Sequence, residues 1–393
     1  MSCPARKREK RGGAARSQAG ALYVHVPFCR SKCRYCDFYS IVFEGLSAEA
    51  CVDALLREIA ASNDRLRCPL ESIYVGGGTP TVVGPVLLRR LLSGVRAFLG
   101  PDTEFTVEAN PGTVSRETAA VLVESGVNRV SLGVQSFQDD ELVLLGRAHT
   151  AAQAAQAVDE LLARGLANIS ADLIYGIPSG TRQSWQDTLA RTLAMPIRHL
   201  SCYALSIEPG TAIERDVRAG RLTEMQEAAQ KDCYLAAIDA AQRAGMTQYE
   251  ISNFSHLGFQ CRHNLTYWHN EPYLGIGPGA ASYLDGVRRK NCPQLGAYLA
   301  AIGSGRRPPA KTERLSVRKA MAETLMLGLR LTEGVDRTAF KDRFGADPLE
   351  AFPHSTSRYA GQGALLVTAR AIRVNPQQFF VSNTILADIL AEA

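Results

Sequence analysis

The strongest constraint on the fold is a repeated alternation of short β-branched segments with amphipathic segments over residues 21–206. The strand-like segments are 21–26, 72–77, 104–109, 129–134, 169–176 and 199–206. The helical segments between them are 47–61, 85–98, 115–124, 150–163 and 182–193. Strands that alternate with helices form a parallel sheet. Six such units predict an α/β fold, either an open barrel or a doubly wound sheet, with functional residues at the carboxyl ends of the strands.

The chain after residue 206 lacks this regular alternation of strands and helices. Residues 207–310 are irregular apart from a predicted helix over 225–244, and RRPPAKTE (306–313) is typical of a linker. After it we predict helices over 316–329, 336–344, 347–352 and 383–391 and strands over 364–368 and 372–381, a pattern that indicates a winged-helix-like domain. The predicted parts are a disordered basic tail (1–20), the α/β domain (21–206), its extension (207–310) and the C-terminal domain (311–393).

The charge distribution argues against nucleic-acid binding. The net charge of +5 is carried by the first 20 residues, which leaves the remainder formally neutral and without a predicted basic stripe. The tail could make only a weak, transient contact with an anionic membrane or with RNA. No apolar run approaches the roughly 20 residues of a membrane span, and no apolar segment of a signal peptide follows the basic start. We therefore expect a cytoplasmic protein.

Three cysteines follow the first predicted strand directly. Cys29, Cys33 and Cys36 have C-x3-C-x2-C spacing, and the next cysteine, Cys51, falls inside the first predicted helix. Thiolates at this spacing select zinc or an iron–sulfur cluster. Three thiolates on a [4Fe–4S] cluster leave one iron open, and S-adenosylmethionine (SAM) can chelate that iron through its amino and carboxylate groups. A structural zinc site is the alternative.

The chain from Tyr23 onward resembles the HemN/HemW family of radical SAM proteins. The stretches that carry the resemblance are YVHVPFCRSKCRYCDFYS, YVGGGTPT, VEANP, NRVSLGVQSF, LGRAHT, DLIYGIPS, YALSIEPGT, QYEISNFS, HNLTYW and GIGPGAASY. They occur in this order and span most of the chain. The resemblance implies a partial (β/α)6 barrel with the [4Fe–4S] cluster and SAM at its C-terminal mouth, followed by a winged-helix-like domain.

The resemblance also implies which residues bind SAM. Glu108 suits the SAM ammonium group, Gln135 and Asp172 suit the ribose hydroxyls, and Arg147 suits the carboxylate as a bidentate partner. Glycines at the end of the second strand let the backbone approach a ligand closely. The remaining expected contacts of the SAM and cluster site are Tyr23, Tyr35, Gly77, Gly78, Thr79 and Ala204.

Two activities divide this family. Its oxygen-independent coproporphyrinogen III oxidases continue the cluster motif to a fourth cysteine, and Phe38 stands at that position here. The ending CDFYS, together with HNLTYW, resembles the haem-chaperone branch, which binds haem and passes it to acceptor proteins. We therefore expect a haem chaperone, with the oxidase as the alternative, and a flavodoxin- or ferredoxin-type reductant as a partner.

HNLTYW offers candidate haem contacts: His263 as axial ligand, and Tyr267 and Trp268 as flat apolar walls. Cys261 and His269 are nearby competitors for the iron. The alternative is that these side chains only fill a domain junction. Many relatives read GAHSY where this chain has GAASY, so a histidine ligand at Ala281 is not available here.

Overall fold

The computed structural model describes residues 17–393. Its strands are β1 (Ala21–Val26), β2 (Phe28–Cys29), β3 (Ile41–Val42), β4 (Ser72–Gly77), β5 (Glu104–Ala109), β6 (Arg129–Gln135), β7 (Ile169–Tyr175), β8 (His199–Ala204), β9 (Thr247–Gln248), β10 (Asn253–Ser255), β11 (Tyr273–Ile276), β12 (Ala281–Leu284), β13 (Val287–Asn291), β14 (Ala310–Arg314), β15 (Val335–Asp336), β16 (Leu365–Val367) and β17 (Ala371–Val374). Its α-helices are α1 (Gly45–Ala61), α2 (Gly84–Ser93), α3 (Arg116–Glu124), α4 (Asp139–Leu145), α5 (Ala151–Ala163), α6 (Arg182–Leu193), α7 (Ala212–Arg218), α8 (Glu227–Arg243), α9 (Arg262–Trp268), α10 (Leu295–Gly303), α11 (Val317–Gly328), α12 (Arg337–Phe344), α13 (Pro348–Ala351), α14 (Pro353–Gly361) and α15 (Ser382–Ala391).

A large sheet in the order β14-β13-β12-β11-β1-β4-β5-β6-β7-β8-β10-β9 forms the centre of the fold. The strands from β11 through β1 to β8 run parallel, and the strands beyond them at both edges run antiparallel. Helices such as α5 and α6 begin where predicted, because Thr150 and Thr181 close capping boxes at their N-termini. The six predicted strands are all present, which confirms the α/β fold with a partial barrel.

Six strands of this sheet, β9 to β14, have no counterpart in the sequence prediction, and β11 and β14 show why. Strand β11, beside β1, is a seventh parallel strand of only four residues, too short to show a period of its own. Strand β14 lies within the predicted linker and pairs with β13 over five residues although every one of its side chains is exposed. Both segments are strands because their backbones pair with a neighbouring strand. The linker prediction is therefore wrong for 310–313.

The C-terminal region contains helices α11–α15 and a separate three-stranded sheet in the order β15-β17-β16. Four of these helices lie close to their predicted positions, whereas α14 has no counterpart in the sequence prediction. The second predicted strand, 372–381, ends at Val374, because Asn375 caps a 3-10 helix that begins at Pro376. Proline has no backbone N–H to donate to a ladder.

The predicted tail lies mostly outside residues 17–393, but its last residues are ordered against the α/β domain. The backbone N–H of Ala19 donates to the carbonyl of Arg65 at 2.9 Å, and Ser17 hydrogen-bonds Asp285. The prediction of disorder is therefore wrong for 17–20, whose backbone is paired. Within 17–393, no helix is long and apolar enough to cross a membrane.

Candidate cofactor site at the carboxyl ends of the strands

Two adjoining cavities open at the carboxyl ends of the parallel strands. The first, of about 630 Å³, is bordered by the three motif cysteines and by β4 to β8, and we call it the cluster cavity. The second, of about 1000 Å³, lies between β1, strands β12 and β13, and helix α11 of the C-terminal region, and we call it the junction cavity. Phe38, Gly77 and Glu108 border both cavities. A ligand in one cavity would therefore lie next to a ligand in the other.

The cysteine motif forms a loop that is tied to the barrel at both ends. Strand β2, which contains Cys29, pairs in parallel with β3 just before α1. The backbone N–H of Cys36 donates to the carbonyl of Cys33 at 3.3 Å, which turns the loop so that all three sulfurs border the cluster cavity. Burial raises the pKa of the Cys29 and Cys36 thiols.

These thiols fit a polynuclear cluster. Three thiols spread around one cavity, each from a different point of a short loop, match the separate irons of a [4Fe–4S] cluster. Thr79 Oγ1 also donates to Cys29 Sγ at 3.9 Å, so a predicted site residue contacts a cluster thiol.

Glu108 joins strands β4 and β5 at the cavity wall. Its Oε1 accepts from the Tyr74 hydroxyl at 2.8 Å, and its Oε2 accepts from the backbone N–H of Gly77 at 2.9 Å. Burial raises the pKa of this carboxyl. A buried carboxylate with lone pairs to spare suits the ammonium group that we expected it to bind.

The glycines at the end of β4 have a different role from the expected one. Gly77 has φ +113°, and a Cβ there would lie 2.5 Å from the His25 ring. A Cβ on Gly78 would lie 2.5 Å from the Phe28 carbonyl oxygen. The missing side chains therefore let β4 approach β1 and the cluster loop, although both glycines also border the cluster cavity.

Arg147 connects the cluster loop to β6. Its guanidinium donates from Nη1 to Cys33 Sγ at 3.3 Å and from Nη2 to the Gly133 carbonyl at 2.8 Å. Its buried Nε has no partner among residues 17–393. Gln135 borders the same cavity with φ +67°, just after an irregularity in the β6–β7 register. The SAM contacts of both residues stay predictions.

Asp172 accepts hydrogen bonds from three serine hydroxyls. Oδ1 accepts from Ser201 at 2.7 Å and Ser170 at 3.1 Å, and Oδ2 accepts from Ser131 at 2.8 Å. A carboxylate has about four lone-pair sites, so little capacity remains for ribose hydroxyls. The serines lie on β6, β7 and β8, and nothing in the local sequence marked them as partners.

The other predicted SAM contacts divide between the cavities. Tyr35 and Ala204 border the cluster cavity as expected. Tyr23 borders the junction cavity instead, where its hydroxyl lies 3.0 Å from His25 Nδ1. Tyr23 lies on β1, which borders the junction cavity and not the cluster cavity.

Arg129 is a residue of the cluster cavity that the sequence analysis missed. It is 2 % exposed, and its Nε has no partner within residues 17–393. Burial disfavours its charge, yet the surrounding acidic groups, including Glu104, keep its pKa above the ordinary value. An arginine at the start of an otherwise apolar strand was the available signal.

The structure contradicts the expected role of His263. The ring is 1 % exposed, and its two nitrogens are engaged with Ser72 Oγ at 2.9 Å and with the Tyr267 hydroxyl at 2.8 Å. Burial, together with Arg129, lowers its pKa to about 3. An imidazole that has both nitrogens engaged and lines neither cavity does not offer a lone pair to haem iron.

The other residues of HNLTYW and their competitors lie in different surroundings. Tyr267 borders the junction cavity as expected, but Trp268 packs under the Arg330 guanidinium at the junction with the C-terminal region. Cys261 is buried against Glu104, and His269 lies beside Glu333. Neither borders a cavity.

The junction cavity combines flat walls with a cationic side. Its aromatic lining is Tyr23, Phe38, Tyr39, Tyr267 and Tyr273, and its apolar lining from the C-terminal region includes Met326, Leu327 and Leu390. Arg288 is paired with Glu323 at 2.5 Å and Lys319 is paired with Glu313. Lys290, on the exposed side of β13, forms no ion pair with any residue of 17–393. The cavity therefore offers an unpaired cation to an anionic ligand.

Two positions that separated this chain from relatives lie at the junction cavity. Phe38 is 68 % exposed and stands at the edge where the cavities meet. Ala281, the position of the histidine in GAHSY, is on β12 and borders the junction cavity. A histidine there would present its ring to the same space.

Comparison with known proteins identifies the domains and relatives. The radical SAM superfamily matches residues 23–192, and the HemN C-terminal domain matches residues 315–381. The chain is 35% identical to heme chaperone HemW of Lactococcus lactis, over 95% of this chain and 97% of that one. It is 33% identical to heme chaperone HemW of Bacillus subtilis, over 95% and 99%.

Among solved structures, coproporphyrinogen III oxidase (HemN) from Escherichia coli superimposes with a TM-score of 0.82 and 21% identity, covering 96% of this chain and 91% of that one. At this identity the likeness establishes the fold. The radical SAM domain implies a [4Fe–4S] cluster and SAM as cofactors, in agreement with the three thiols at the cluster cavity. This chain belongs to the HemW family of radical SAM proteins.

Proposed function

We propose that this protein is a haem chaperone that holds haem in the junction cavity and passes it to an acceptor protein. The observation that carries the proposal is the junction cavity itself, with about 1000 Å³ of space, aromatic walls and the unpaired Lys290. Haem is a flat macrocycle with two carboxylates, so it requires flat apolar walls and a nearby cation. The names of the relatives from Lactococcus lactis and Bacillus subtilis support the same function.

Within this proposal the two cavities have separate tasks. Cys29, Cys33 and Cys36 hold the [4Fe–4S] cluster, which supplies one-electron chemistry when it is bound. Arg147 orients Cys33 through its hydrogen bond and fixes the loop to β6. Glu108 stands at the wall between the cavities, where its carboxylate is available to SAM on one side.

The haem iron needs an axial ligand other than His263. Phenol and thioether groups also ligate haem iron, and the junction cavity offers several phenols and the Met326 sulfur. We infer that one of these donors serves in this chain, where relatives with GAHSY have a histidine. A flavodoxin- or ferredoxin-type reductant and a transient membrane contact belong to the same proposal. So do the predicted boundaries of the three parts that follow residue 20.

The oxidase function is the alternative. Decarboxylation of coproporphyrinogen III in this family is associated with a fourth cysteine after the cluster motif, and Phe38 has no thiol to offer. Its ring is exposed at the meeting point of the cavities, where it extends the aromatic wall instead. Phe38 therefore favours binding of the haem macrocycle over decarboxylation of coproporphyrinogen III.

The test is an anaerobic titration of the reconstituted protein with haem, in parallel with an assay of coproporphyrinogen III turnover with SAM and a reductant. We expect saturable haem binding and no loss of carboxylates. Lys290→Glu, which replaces an attraction with a repulsion, should weaken haem binding by about tenfold or more.

Lys311→Glu is the matched control. Lys311 lies opposite Lys290 in the β13–β14 register, so its replacement by glutamate makes the same charge change. Lys311 does not border the junction cavity. Equal losses in both variants would argue for a general charge effect and against a carboxylate contact at Lys290. Turnover of coproporphyrinogen III would contradict the chaperone proposal in its exclusive form.

A further inference from the structure

A third cavity lies at the other end of helix α1 from the cluster loop. It has about 320 Å³ and is bordered by the last turn of α1, the end of α10 and strand β13. Five arginines surround it, and we call it the arginine pocket: Arg57, Arg65, Arg289, Arg306 and Arg307. At 1.5 Å per residue, the 17 residues of α1 place it about 25 Å from the start of the helix, where the cluster loop ends.

Among residues 17–393 the lining of this pocket contains one carboxylate, Glu58, which already accepts three hydrogen bonds. Glu58 accepts from the backbone N–H of Gly277 at 2.8 Å, from Asn291 Nδ2 at 3.1 Å and from the Tyr298 hydroxyl at 2.7 Å. Burial raises the pKa of this carboxyl. Glu58 therefore serves as a buried tie between α1, β11–β13 and α10, and it forms no ion pair with Arg57, Arg306 or Arg307.

Three of the five guanidinium groups form no ion pair within residues 17–393. Arg57, Arg306 and Arg307 are exposed and form no ion pair with any residue between 17 and 393. Arg289 donates to the Pro308 carbonyl at 2.6 Å and to Asn291 Oδ1. Burial lowers the pKa of Arg289; the charge of Glu58 raises this pKa, and the charges of Arg65 and Arg307 lower it.

The negative C-termini of two helices compensate only part of this positive charge. The C-termini of α1 and α10 both face the pocket, and each is equivalent to about half a negative charge. Together they amount to about one negative charge, which is less than the positive charge of Arg57, Arg306 and Arg307. Like charges held around one concave space are relieved when an anion enters it.

We propose that the arginine pocket binds the phosphate group of a small phosphorylated metabolite. Guanidinium groups match phosphate oxygens with paired hydrogen bonds, and several of them around one group give both charge and geometry. The pocket is at the lower limit of small-molecule sites in volume, which suits a phosphate with a short substituent. The proposal is independent of haem binding, because it uses other residues at another end of the domain.

Strand β13 determines how the proposal is tested. Its pleat directs Arg288 and Lys290 to the junction cavity and Arg289 to the arginine pocket. Arg289 also holds Asn291 and Pro308 through hydrogen bonds and lies between two residues of the junction cavity, so it is not the residue to change. Arg306 and Arg307 follow α10, are exposed and border only the arginine pocket, so the double variant R306Q/R307Q leaves the junction cavity intact.

The experiment is calorimetric titration of the full chain with inorganic pyrophosphate at millimolar concentration. We expect saturable binding at one site per chain, weakened by about tenfold or more in R306Q/R307Q. R96Q/R116Q is the control, since Arg96 and Arg116 are exposed and border none of these cavities. Its affinity should stay within about twofold of the wild type.

A second arm distinguishes the source of the phosphate. The same proteins are sedimented with phosphatidylglycerol vesicles and with phosphatidylcholine vesicles. Binding to anionic vesicles that depends on Arg306 and Arg307, without saturable pyrophosphate binding, would overturn the small metabolite in favour of a lipid headgroup. Equal losses in R306Q/R307Q and R96Q/R116Q would overturn the site itself, because they would show an effect of net charge alone.

Discussion

Replacement of His263 by alanine separates a structural role of this residue from haem ligation. The ring forms two hydrogen bonds, with Ser72 and with Tyr267, and it stacks on Tyr74 with centroids 5.1 Å apart. Loss of each hydrogen bond costs about 1 kcal/mol, and the void left by the ring adds about 1–2 kcal/mol. We therefore expect His263→Ala to lower the free energy of unfolding by about 3–4 kcal/mol near pH 7.5.

The loss of unfolding free energy in His263→Ala should be smaller at acidic pH. The pKa of His263 is about 3 in the folded protein and 6.5 in an unfolded chain. At about pH 5 the unfolded wild type binds a proton that the folded wild type does not, which removes about 2 kcal/mol of stability that the alanine variant never loses. The difference between the two proteins should therefore fall to about 1–2 kcal/mol.

The assay is guanidinium unfolding under anaerobic conditions at both pH values, followed by tryptophan fluorescence, with haem spectra recorded on the same samples. His269→Ala is the control, because His269 is 45% exposed at the end of the same helix and should change stability by no more than about 0.5 kcal/mol. The haem spectrum should be unchanged in both variants. A shifted haem spectrum in His263→Ala with unchanged unfolding would refute the structural role.

Four further predictions follow from the two cavities. The reconstituted protein should contain about four irons per chain, and Cys33→Ala should abolish the chromophore of this cluster. Cys51→Ala should retain the chromophore, because Cys51 is buried in α1 away from the cluster loop. Arg147→Ala should weaken SAM binding about 10- to 150-fold by calorimetry on samples matched for iron content, and equal affinity would remove Arg147 from the SAM site. Asp172→Ala should lower the free energy of unfolding by about 2–4 kcal/mol, because three serine hydroxyls lose their acceptor, and Asp172→Asn should cost less. Ala281→His should tighten haem binding and shift its absorption spectrum; an unaltered spectrum would argue against haem in the junction cavity.

The parallel strands and the cluster loop were predictable because their signals are local. Each strand of the sheet from β1 to β8 has its own apolar run, and the helices have their own capping residues, as at Thr150. The cysteine motif is local for the same reason, since a compact ligand needs its thiolates within a few residues. Neither prediction required knowledge of which segments meet.

The surroundings of single side chains were decided only by the tertiary structure. His263 looked like a ligand because its sequence neighbours are aromatic, but Ser72, 191 residues away, occupies one ring nitrogen. Asp172 looked like an open acceptor until serines from neighbouring strands took its lone pairs. The edge strand β14 exists because β13 supplies its hydrogen bonds, and its exposed side chains carry no signal of that pairing. Local periodicity determines which segments become strands and helices, whereas hydrogen bonds between residues far apart in the chain determine which polar groups remain free to bind a ligand.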